Sequence, residues 1–296
     1  MRHFALTFAA LLCAAPLLAQ APASGGMLIS PAELNEILED PSLVVLQVAD
    51  SQATFDEGHI PGARFVRYVD FAIDGDGLGS ELPPAETIKR VFEAAGVSDD
   101  SRIVLYAPTP VAAARAFFTL DAFGHRRVAL LDGGLRAWRE AKLPIQTGPR
   151  PQASGPGRDR FTPRLNAERV ATAAFIQQQF PGKTIALVDV RPDAEFFGTN
   201  GAIHGIYAPG HIAGARQLTW NSLVGNDGKF LPREQLKERL ESAGVVTGRP
   251  VVSYCLVGMR ASVVYFVARH LGYDARLYDG SIVDWSRRKL PVTKNE

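Results

Sequence analysis

Cys255 combines a nucleophilic side chain with a local sequence that suits a catalytic loop. It lies in SYCLVGMRAS, residues 253–262, between an apolar run typical of a strand and the start of a helical pattern. That position is the carboxyl end of a strand, where open parallel sheets bind ligands. The alternative is a small buried core residue, the usual role of a single cysteine. The strand, loop and helix arrangement favours the catalytic interpretation.

The residues after Cys255 are those expected around a thiolate nucleophile. Gly258 permits a backbone turn that residues with a Cβ resist, and Arg260 carries a permanent charge and a fork of donors suited to an oxyanion. The loop amides and the positive end of the following helix would also stabilise a negative charge on the sulfur. Because the thiolate is the nucleophilic form, these features predict covalent catalysis at Cys255. We expect the substrate to be bound by Leu256, Val257, Gly258, Met259 and Arg260.

The amino terminus predicts a secretory signal peptide over residues 1–21. Arg2 and His3 precede a short apolar stretch, which is followed by small residues. We therefore expect export to the periplasm, with Cys13 lost alongside the leader; an uncleaved anchor is the alternative. The mature chain would then carry Cys255 as its one thiol, which excludes an internal disulfide and a two-cysteine redox cycle.

Composition and charge are those of an ordinary soluble globular protein. The chain has 296 residues, 46% hydrophobic and 21% charged, with a formal net charge of +1. This balance argues against a nucleic-acid partner and, once the leader is removed, against a membrane partner. The sequence has no phosphate-binding loop, and its six scattered histidines give no zinc spacing. We expect no metal or organic cofactor.

The two halves of the chain repeat each other. FDEGHIPGARF at 55–65 returns as YAPGHIAGARQ at 207–217, and FGHRRVALLDGGLRAW, ending at Trp138, returns as LGYDARLYDGSIVDW, ending at Trp285. The constant order and nearly constant offset of these pairs indicate a duplicated domain. We place the domains at 27–146 and 163–296, joined by a Pro- and Gly-rich linker at 147–162. The two tryptophans are expected in the cores, and a monomer is expected because the tandem supplies its own interface.

Strand and helix patterns alternate within each half. In the second half, residues 184–190 and 250–254 are typical of buried strands, and the helices that follow are expected to end at Gly244 and Gly272. Ser30 with Glu33 predicts a capping box at the first helix. This alternation predicts an α/β fold, with a mostly parallel sheet and helices on both faces in each domain.

Several of these motifs together resemble one family. The two GHI(P/A)GA turns, LVDVR at 187–191, the loop CLVGMR and the late YDGS resemble the tandem-domain rhodaneses, a family of thiosulfate and 3-mercaptopyruvate sulfurtransferases. The resemblance implies that the Cys255 thiolate takes the outer sulfur of a donor, forms a persulfide and passes the sulfur to cyanide or a thiol. It also implies a catalytically silent first domain, because Ala107 stands where the repeat would place the cysteine.

The loop departs from the family's two donor patterns. Thiosulfate-using relatives resemble CRKG and mercaptopyruvate-using relatives resemble CGSG, whereas this chain has Leu256 and Val257. Glu195 stands where tandem enzymes tend to carry a donor-binding arginine. Arg260 is therefore the first candidate for donor binding and Arg191 the second, a structural ion pair being the alternative for Arg191. We expect thiosulfate to be preferred to 3-mercaptopyruvate as the donor, because the loop has no serine.

Some residues are also compatible with other functions. The unusual loop and Glu195 would also suit a non-enzymatic sulfur carrier or a partner-binding module. A cysteine-dependent phosphatase of related fold has a loop one residue longer, which would place arginine at Ala261. His59 and His211 lie in the repeated turns and are expected to be structural, since one copy belongs to the half without the cysteine. An aspartate–histidine pair of Asp50 and His59 is the mercaptopyruvate-type alternative.

Overall fold

The computed structural model of the chain describes residues 26–75, 77–149, 160–180, 182–199 and 208–294. The expected signal peptide at 1–21, with Cys13, lies outside these residues, as does most of the expected linker at 147–162. The domain boundaries therefore stay a prediction. No helix in the described part of the chain is both long and apolar enough to cross a membrane.

The first half forms a five-stranded sheet in which every neighbouring pair of strands is parallel. Its strands are β1 (Leu28–Ile29), β2 (Leu43–Ala49), β3 (Arg64–Arg67), β4 (Arg102–Tyr106) and β5 (Val128–Leu131), in the spatial order β1-β5-β4-β2-β3. Its helices are α1 (Pro31–Glu36), α2 (Gln52–Asp56), α3 (Ala85–Ala94), α4 (Pro110–Ala122) and α5 (Gly134–Glu140).

The second half repeats this topology. Its parallel strands are β6 (Val170–Ala171), β7 (Ala186–Asp189), β9 (Arg216–Gln217), β10 (Val251–Tyr254) and β11 (Ala275–Tyr278), in the order β6-β11-β10-β7-β9. A short antiparallel pair joins β8 (His211–Ile212) to β12 (Val292–Thr293). The helices are α6 (Ala173–Gln179), α7 (Asp193–Phe196), α8 (Arg233–Ser242), α9 (Ala261–His270) and α10 (Ser281–Arg287). Strand for strand the order matches the first sheet, so the predicted fold class is confirmed.

Helices cover both faces of each sheet because strand residues alternate between two apolar clusters. In β2, Val44, Leu46 and Val48 face the cluster that contains α3 and α4, whereas Val45 faces the cluster beneath α1 and α5. The predicted capping box is also present: the Ser30 hydroxyl accepts from the Glu33 amide, and the Glu33 carboxylate accepts from the Ser30 amide. Each sheet is thus buried on both sides, as a parallel sheet requires.

The two domains share one core through helices α4 and α9. Phe117 packs edge-on against Phe266, and Phe118 edge-on against Tyr265, each with ring centroids 5.0 Å apart. Asp121 of α4 accepts hydrogen bonds from Tyr265 and Arg269 of α9. This double burial explains why α9, the helix that follows Cys255, is apolar around most of its circumference.

The duplication extends to individual hydrogen bonds. Trp138 donates from Nε1 to the Pro144 carbonyl at 2.8 Å, and Trp285 donates in the same way to the Pro291 carbonyl at 2.9 Å. Both indoles are buried, as expected from their equivalent positions. The two halves have therefore kept the same framework.

Candidate active site

Cys255 lies directly after β10, at the carboxyl end of a central strand, and its loop ends where α9 begins at Ala261. The side chain is a free thiol and only 1% of the residue is exposed. The Ser253 hydroxyl donates to the Ala261 carbonyl at 3.1 Å, which connects the end of the strand to the first turn of the helix. The sequence-based placement of Cys255 between strand and helix is confirmed.

Ser281 and the start of α10 support the first residues of the loop. The Cys255 amide donates to the Ser281 hydroxyl at 3.1 Å, and that hydroxyl donates to the Tyr278 carbonyl at 2.8 Å. The carbonyls of Cys255 and Leu256 accept from the amides of Ile282 and Val283. The YDGS motif alone gave no role for Ser281; the structure shows that Ser281 holds the backbone of Cys255 in place.

The remaining loop amides have no acceptor within the described part of the chain. None of the five residues from Leu256 to Arg260 donates a backbone hydrogen bond to another described residue. Four of these five residues are half-buried, so their amides can meet solvent or a ligand, and successive unpaired amides in a tight turn form concave sites for anions. The loop can therefore accommodate a negatively charged sulfur species beside Cys255.

Gly258 is required by both its backbone and its surroundings. Its φ is +85°, in the left-handed region, where residues with a Cβ are strained. A Cβ built at this position would lie 2.6 Å from Asp279 Oδ1 and 2.7 Å from the Asp279 carbonyl oxygen. The Gly258 carbonyl accepts from the Ser262 hydroxyl at 3.2 Å. The predicted glycine turn is present, and the structure adds Asp279 as the group packed against it.

Arg260 forms an ion pair with Glu195 at the mouth of the loop. Its two terminal nitrogens donate to the two carboxylate oxygens of Glu195 at 2.8 and 2.9 Å. Burial alone would lower the pKa of Arg260, but its hydrogen bonds to Glu195 and its contact with Cys255 raise that pKa above the ordinary value. The guanidinium is thus a permanent positive charge shared between the thiol and a carboxylate. The residue pattern marked Glu195 as unusual but carried no signal for this pairing.

Arg191, the second candidate for donor binding, lies in a buried ion pair. Its side chain is fully buried, and it donates to both carboxylate oxygens of Asp189 and, at 2.7 Å, to the Gly210 carbonyl. The sequence left open a donor contact or a structural pair, and the structure places Arg191 in the structural pair. Its full burial favours the structural pair over a donor contact, and its place among the substrate-binding residues stays a prediction.

The two turn histidines occupy equivalent structural positions. His59 Nδ1 lies 3.0 Å from the Phe55 carbonyl oxygen, and His211 Nδ1 lies 3.0 Å from that of Phe196. Each imidazole also stacks on the phenylalanine whose carbonyl it faces: His59 on Phe55 and His211 on Phe196, with ring centroids 3.8 and 3.7 Å apart. No hydrogen bond joins His59 to the exposed Asp50 in the described residues. The matching geometry in a half without the nucleophile supports the structural interpretation.

At the position that matches Cys255, the first domain carries an alanine. Ala107 follows β4 where Cys255 follows β10, and α4 begins at Pro110. Instead, the first domain contributes a buried arginine, Arg115, which pairs with Asp279 beside the loop. The sequence carried no signal for this pair, since its members are 164 positions apart. The described residues also contain no group of three or more His, Cys, Asp or Glu side chains that could hold a metal ion.

Comparisons with known proteins agree with this architecture. The Rhodanese-like domain family matches twice, over residues 30–141 and 172–288. The chain is 32% identical over 283 residues to the sulfur carrier protein TtuD of Thermus thermophilus, covering 91% of this chain and 97% of TtuD. It is also 32% identical to a putative thiosulfate sulfurtransferase of Synechococcus elongatus, covering 89% of this chain and 84% of the relative.

A solved structure shows the same fold over most of the chain. The crystal structure of SseA from Escherichia coli, described with the rhodanese fold and mechanism of 3-mercaptopyruvate sulfotransferases, superposes with a TM-score of 0.75 at 26% identity. The alignment covers 86% of this chain and 98% of SseA. At this coverage the similarity extends over both halves of the chain.

Proposed function

Because this chain belongs to the rhodanese family, we propose that it transfers a sulfane sulfur from a small-molecule donor to a thiophilic acceptor through a persulfide on Cys255. Its assignment to the transferases of sulfur-containing groups follows from relatives that are sulfurtransferases. The observation that carries the persulfide proposal is that Cys255 precedes five loop amides that have no acceptor among the described residues.

The first half-reaction forms the persulfide. The Cys255 thiolate attacks the outer sulfur of thiosulfate, a new sulfur–sulfur bond forms, and the bond to sulfite breaks with its electron pair leaving on sulfite. The Arg260 guanidinium contacts Cys255 and places a positive charge beside the sulfur that attacks as the thiolate. The unpaired amides of the loop then stabilise the anionic persulfide, because they are fixed in place before the charge arrives.

The second half-reaction returns the thiolate. A nucleophile such as cyanide or a small thiol attacks the outer sulfur of the persulfide, and the Cys255 sulfur leaves as the thiolate. Donor and acceptor use the same loop in turn, so one cysteine is sufficient. The chemistry needs no change in the oxidation state of the protein between cycles.

Thiosulfate is the proposed first donor, with 3-mercaptopyruvate as the alternative. Arg260 provides the charge that an anionic donor would meet, and the loop offers no serine of the mercaptopyruvate type. The Synechococcus relative is named a putative thiosulfate sulfurtransferase, and a Pseudomonas aeruginosa relative at 33% identity a probable 3-mercaptopyruvate sulfurtransferase.

A non-enzymatic sulfur carrier is the second candidate function. Glu195 already occupies both terminal nitrogens of Arg260, and the half-buried Leu256 and Val257 give the loop an apolar surface. Those features suit docking of a partner protein as well as a small anion. The relative TtuD is named a sulfur carrier protein.

Turnover separates the two candidates. Purified wild type and Cys255→Ser are each incubated with thiosulfate and cyanide, and the thiocyanate formed is measured. Pyruvate release from 3-mercaptopyruvate is measured in parallel. Multiple turnovers in wild type that are absent in Cys255→Ser support the enzymatic function. A persulfide that forms but does not discharge to cyanide or a thiol supports the carrier. Equal turnover in both proteins contradicts any role of Cys255, and hydrolysis of p-nitrophenyl phosphate would support a phosphatase instead.

We also propose that the protein is exported to the periplasm as a monomer after removal of residues 1–21. The support is the leader-like composition of that segment and the presence of both domains in one chain. Cell fractionation with amino-terminal sequencing tests the first part, and sedimentation of the purified protein tests the second.

A further inference from the structure

The first domain reaches the active-site loop through one buried arginine. Arg115 lies on α4 and is fully buried, and its guanidinium pairs with the Asp279 carboxylate in the second domain. Asp279 follows β11 directly, in the segment that leads into α10. A fully buried charge is costly unless it is paired, so the position of Arg115 depends on Asp279 and that of Asp279 on Arg115.

A second group from the first domain acts on the same carboxylate. The Leu82 amide donates to Asp279 Oδ2 at 2.7 Å. Asp279 itself is 7% exposed, so its side chain has little freedom to reorient into solvent. The first domain therefore holds Asp279 from two directions.

Asp279 in turn lies against the residues that shape the loop. Its Oδ1 and carbonyl oxygen fill the space where Gly258 would carry a Cβ, and Arg115 Nη1 lies 3.2 Å from that point. Two residues further on, Ser281 accepts the hydrogen bond of the Cys255 amide. A shift of Asp279 would thus be transmitted to the loop at two points, Cys255 and Gly258.

We propose that Arg115 is a positioning residue: by fixing Asp279 across the domain interface, it sets the geometry of the loop around Cys255. The first domain, which lacks a nucleophile, then has a defined part in sulfur transfer. This inference rests on the proposed function of Cys255, although the accessibility and reactivity of the thiol can be measured without any sulfur donor.

The test uses the full chain with Arg115→Met, Arg115→Lys and wild type. Two rates are measured: persulfide formation with thiosulfate, and alkylation of the Cys255 peptide by iodoacetamide, a neutral reagent. We expect Arg115→Met to slow persulfide formation at least about tenfold, to reduce kcat more than it changes KM, and to alter the alkylation rate. Arg115→Lys should restore part of the rate because it keeps the charge.

The matched control is Asp121→Asn, which weakens another contact between α4 and the second domain. Asp121 binds Tyr265 and Arg269 in the middle and last turn of α9 rather than at the loop. It should lower thermal stability without changing either rate. If Arg115→Met does not fold, Asp279→Asn takes its place with the same expected results.

Two results would overturn the inference. One is a folded Arg115→Met with wild-type rates of alkylation and persulfide formation, and the other is an Asp121→Asn variant slowed as much as Arg115→Met. If wild type forms no persulfide, the function proposed for Cys255 fails, while the alkylation rates still decide whether Arg115 positions the loop.

Discussion

Arg260 donates one hydrogen bond to each carboxylate oxygen of Glu195, at 2.8 and 2.9 Å. The two side chains are only 25% and 11% exposed, so solvent screens the pair incompletely. The positive charge that the loop offers to an anionic donor is therefore balanced by a fixed negative charge on α7. This pairing predicts that Glu195 limits how well the loop accepts a dianion.

Glu195→Gln should raise kcat/KM for thiosulfate. The change removes one negative charge beside Arg260 while keeping an amide that can still accept a hydrogen bond. A partly buried pair of this kind is worth about 1 kcal/mol, which corresponds to a factor of about five. The gain should be smaller for 3-mercaptopyruvate, which carries one negative charge rather than two. Steady-state kinetics with both donors measures the difference.

Glu241→Gln is the control for that change. Glu241 pairs with Lys237 on the exposed face of α8, away from the loop, so its removal should leave both donors unaffected. An unchanged kcat/KM for thiosulfate in Glu195→Gln would show that the carboxylate does not limit donor binding.

Gly258→Ala should lower both stability and activity. The left-handed φ of +85° costs a residue with a Cβ about 1–2 kcal/mol, and the new methyl group would also collide with Asp279. Gly272→Ala is the comparison, because Gly272 has a φ of +90° but nothing within 4 Å of a Cβ. Denaturant unfolding should show the larger loss for Gly258→Ala, and only that variant should lose sulfur transfer. Equal losses in the two variants would mean that Asp279 does not constrain the loop.

His211→Asn should destabilise the protein without changing the pH dependence of kcat. Loss of the stacking on Phe196 and of a buried hydrogen bond should cost about 1–3 kcal/mol. His59→Asn, in the matching turn of the first domain, should cause a similar loss of stability and leave the pH dependence of kcat unchanged. A folded His211→Asn whose pH–rate profile differs from those of wild type and His59→Asn would instead assign His211 to proton transfer.

His125 should make stability fall as the solution becomes acidic. Burial lowers the pKa of His125 below its ordinary value of 6.5, and Nδ1 is buried without a partner in the described residues. The unfolded chain therefore takes up the proton first, so stability present above about pH 6.5 is lost as the pH falls through the folded-state pKa. His125→Gln should flatten the fall of Tm between about pH 7 and pH 5. Burial also lowers the pKa of His270, so part of the slope should remain; an unchanged slope would contradict the assignment to His125.

The duplicated sequence made most of the fold predictable. Local patterns identified strands and helices, and the repeat fixed their correspondence, down to the matching hydrogen bonds of Trp138 and Trp285. Cys255 could be placed because the strand before it and the helix after it are both read from local periodicity. The glycine turn at Gly258 followed from residue type alone.

The partners of the charged residues could not be predicted in the same way. Arg260 and Glu195 are 65 positions apart, and Arg115 and Asp279 lie in different domains. No periodicity links such positions, since an ion pair depends on how separate elements pack in three dimensions. Arg191 shows the same limit: a motif ending in arginine does not reveal whether the guanidinium faces solvent or a buried aspartate.

Intact-protein mass spectrometry after mixing with thiosulfate tests most directly whether Cys255 carries sulfur. Wild type should gain the mass of one sulfur atom, lose it on addition of cyanide or a thiol, and show no gain when Cys255 is replaced by serine. The same gain in Cys255→Ser, or no gain in wild type with thiosulfate and with 3-mercaptopyruvate, would contradict a persulfide mechanism at this loop.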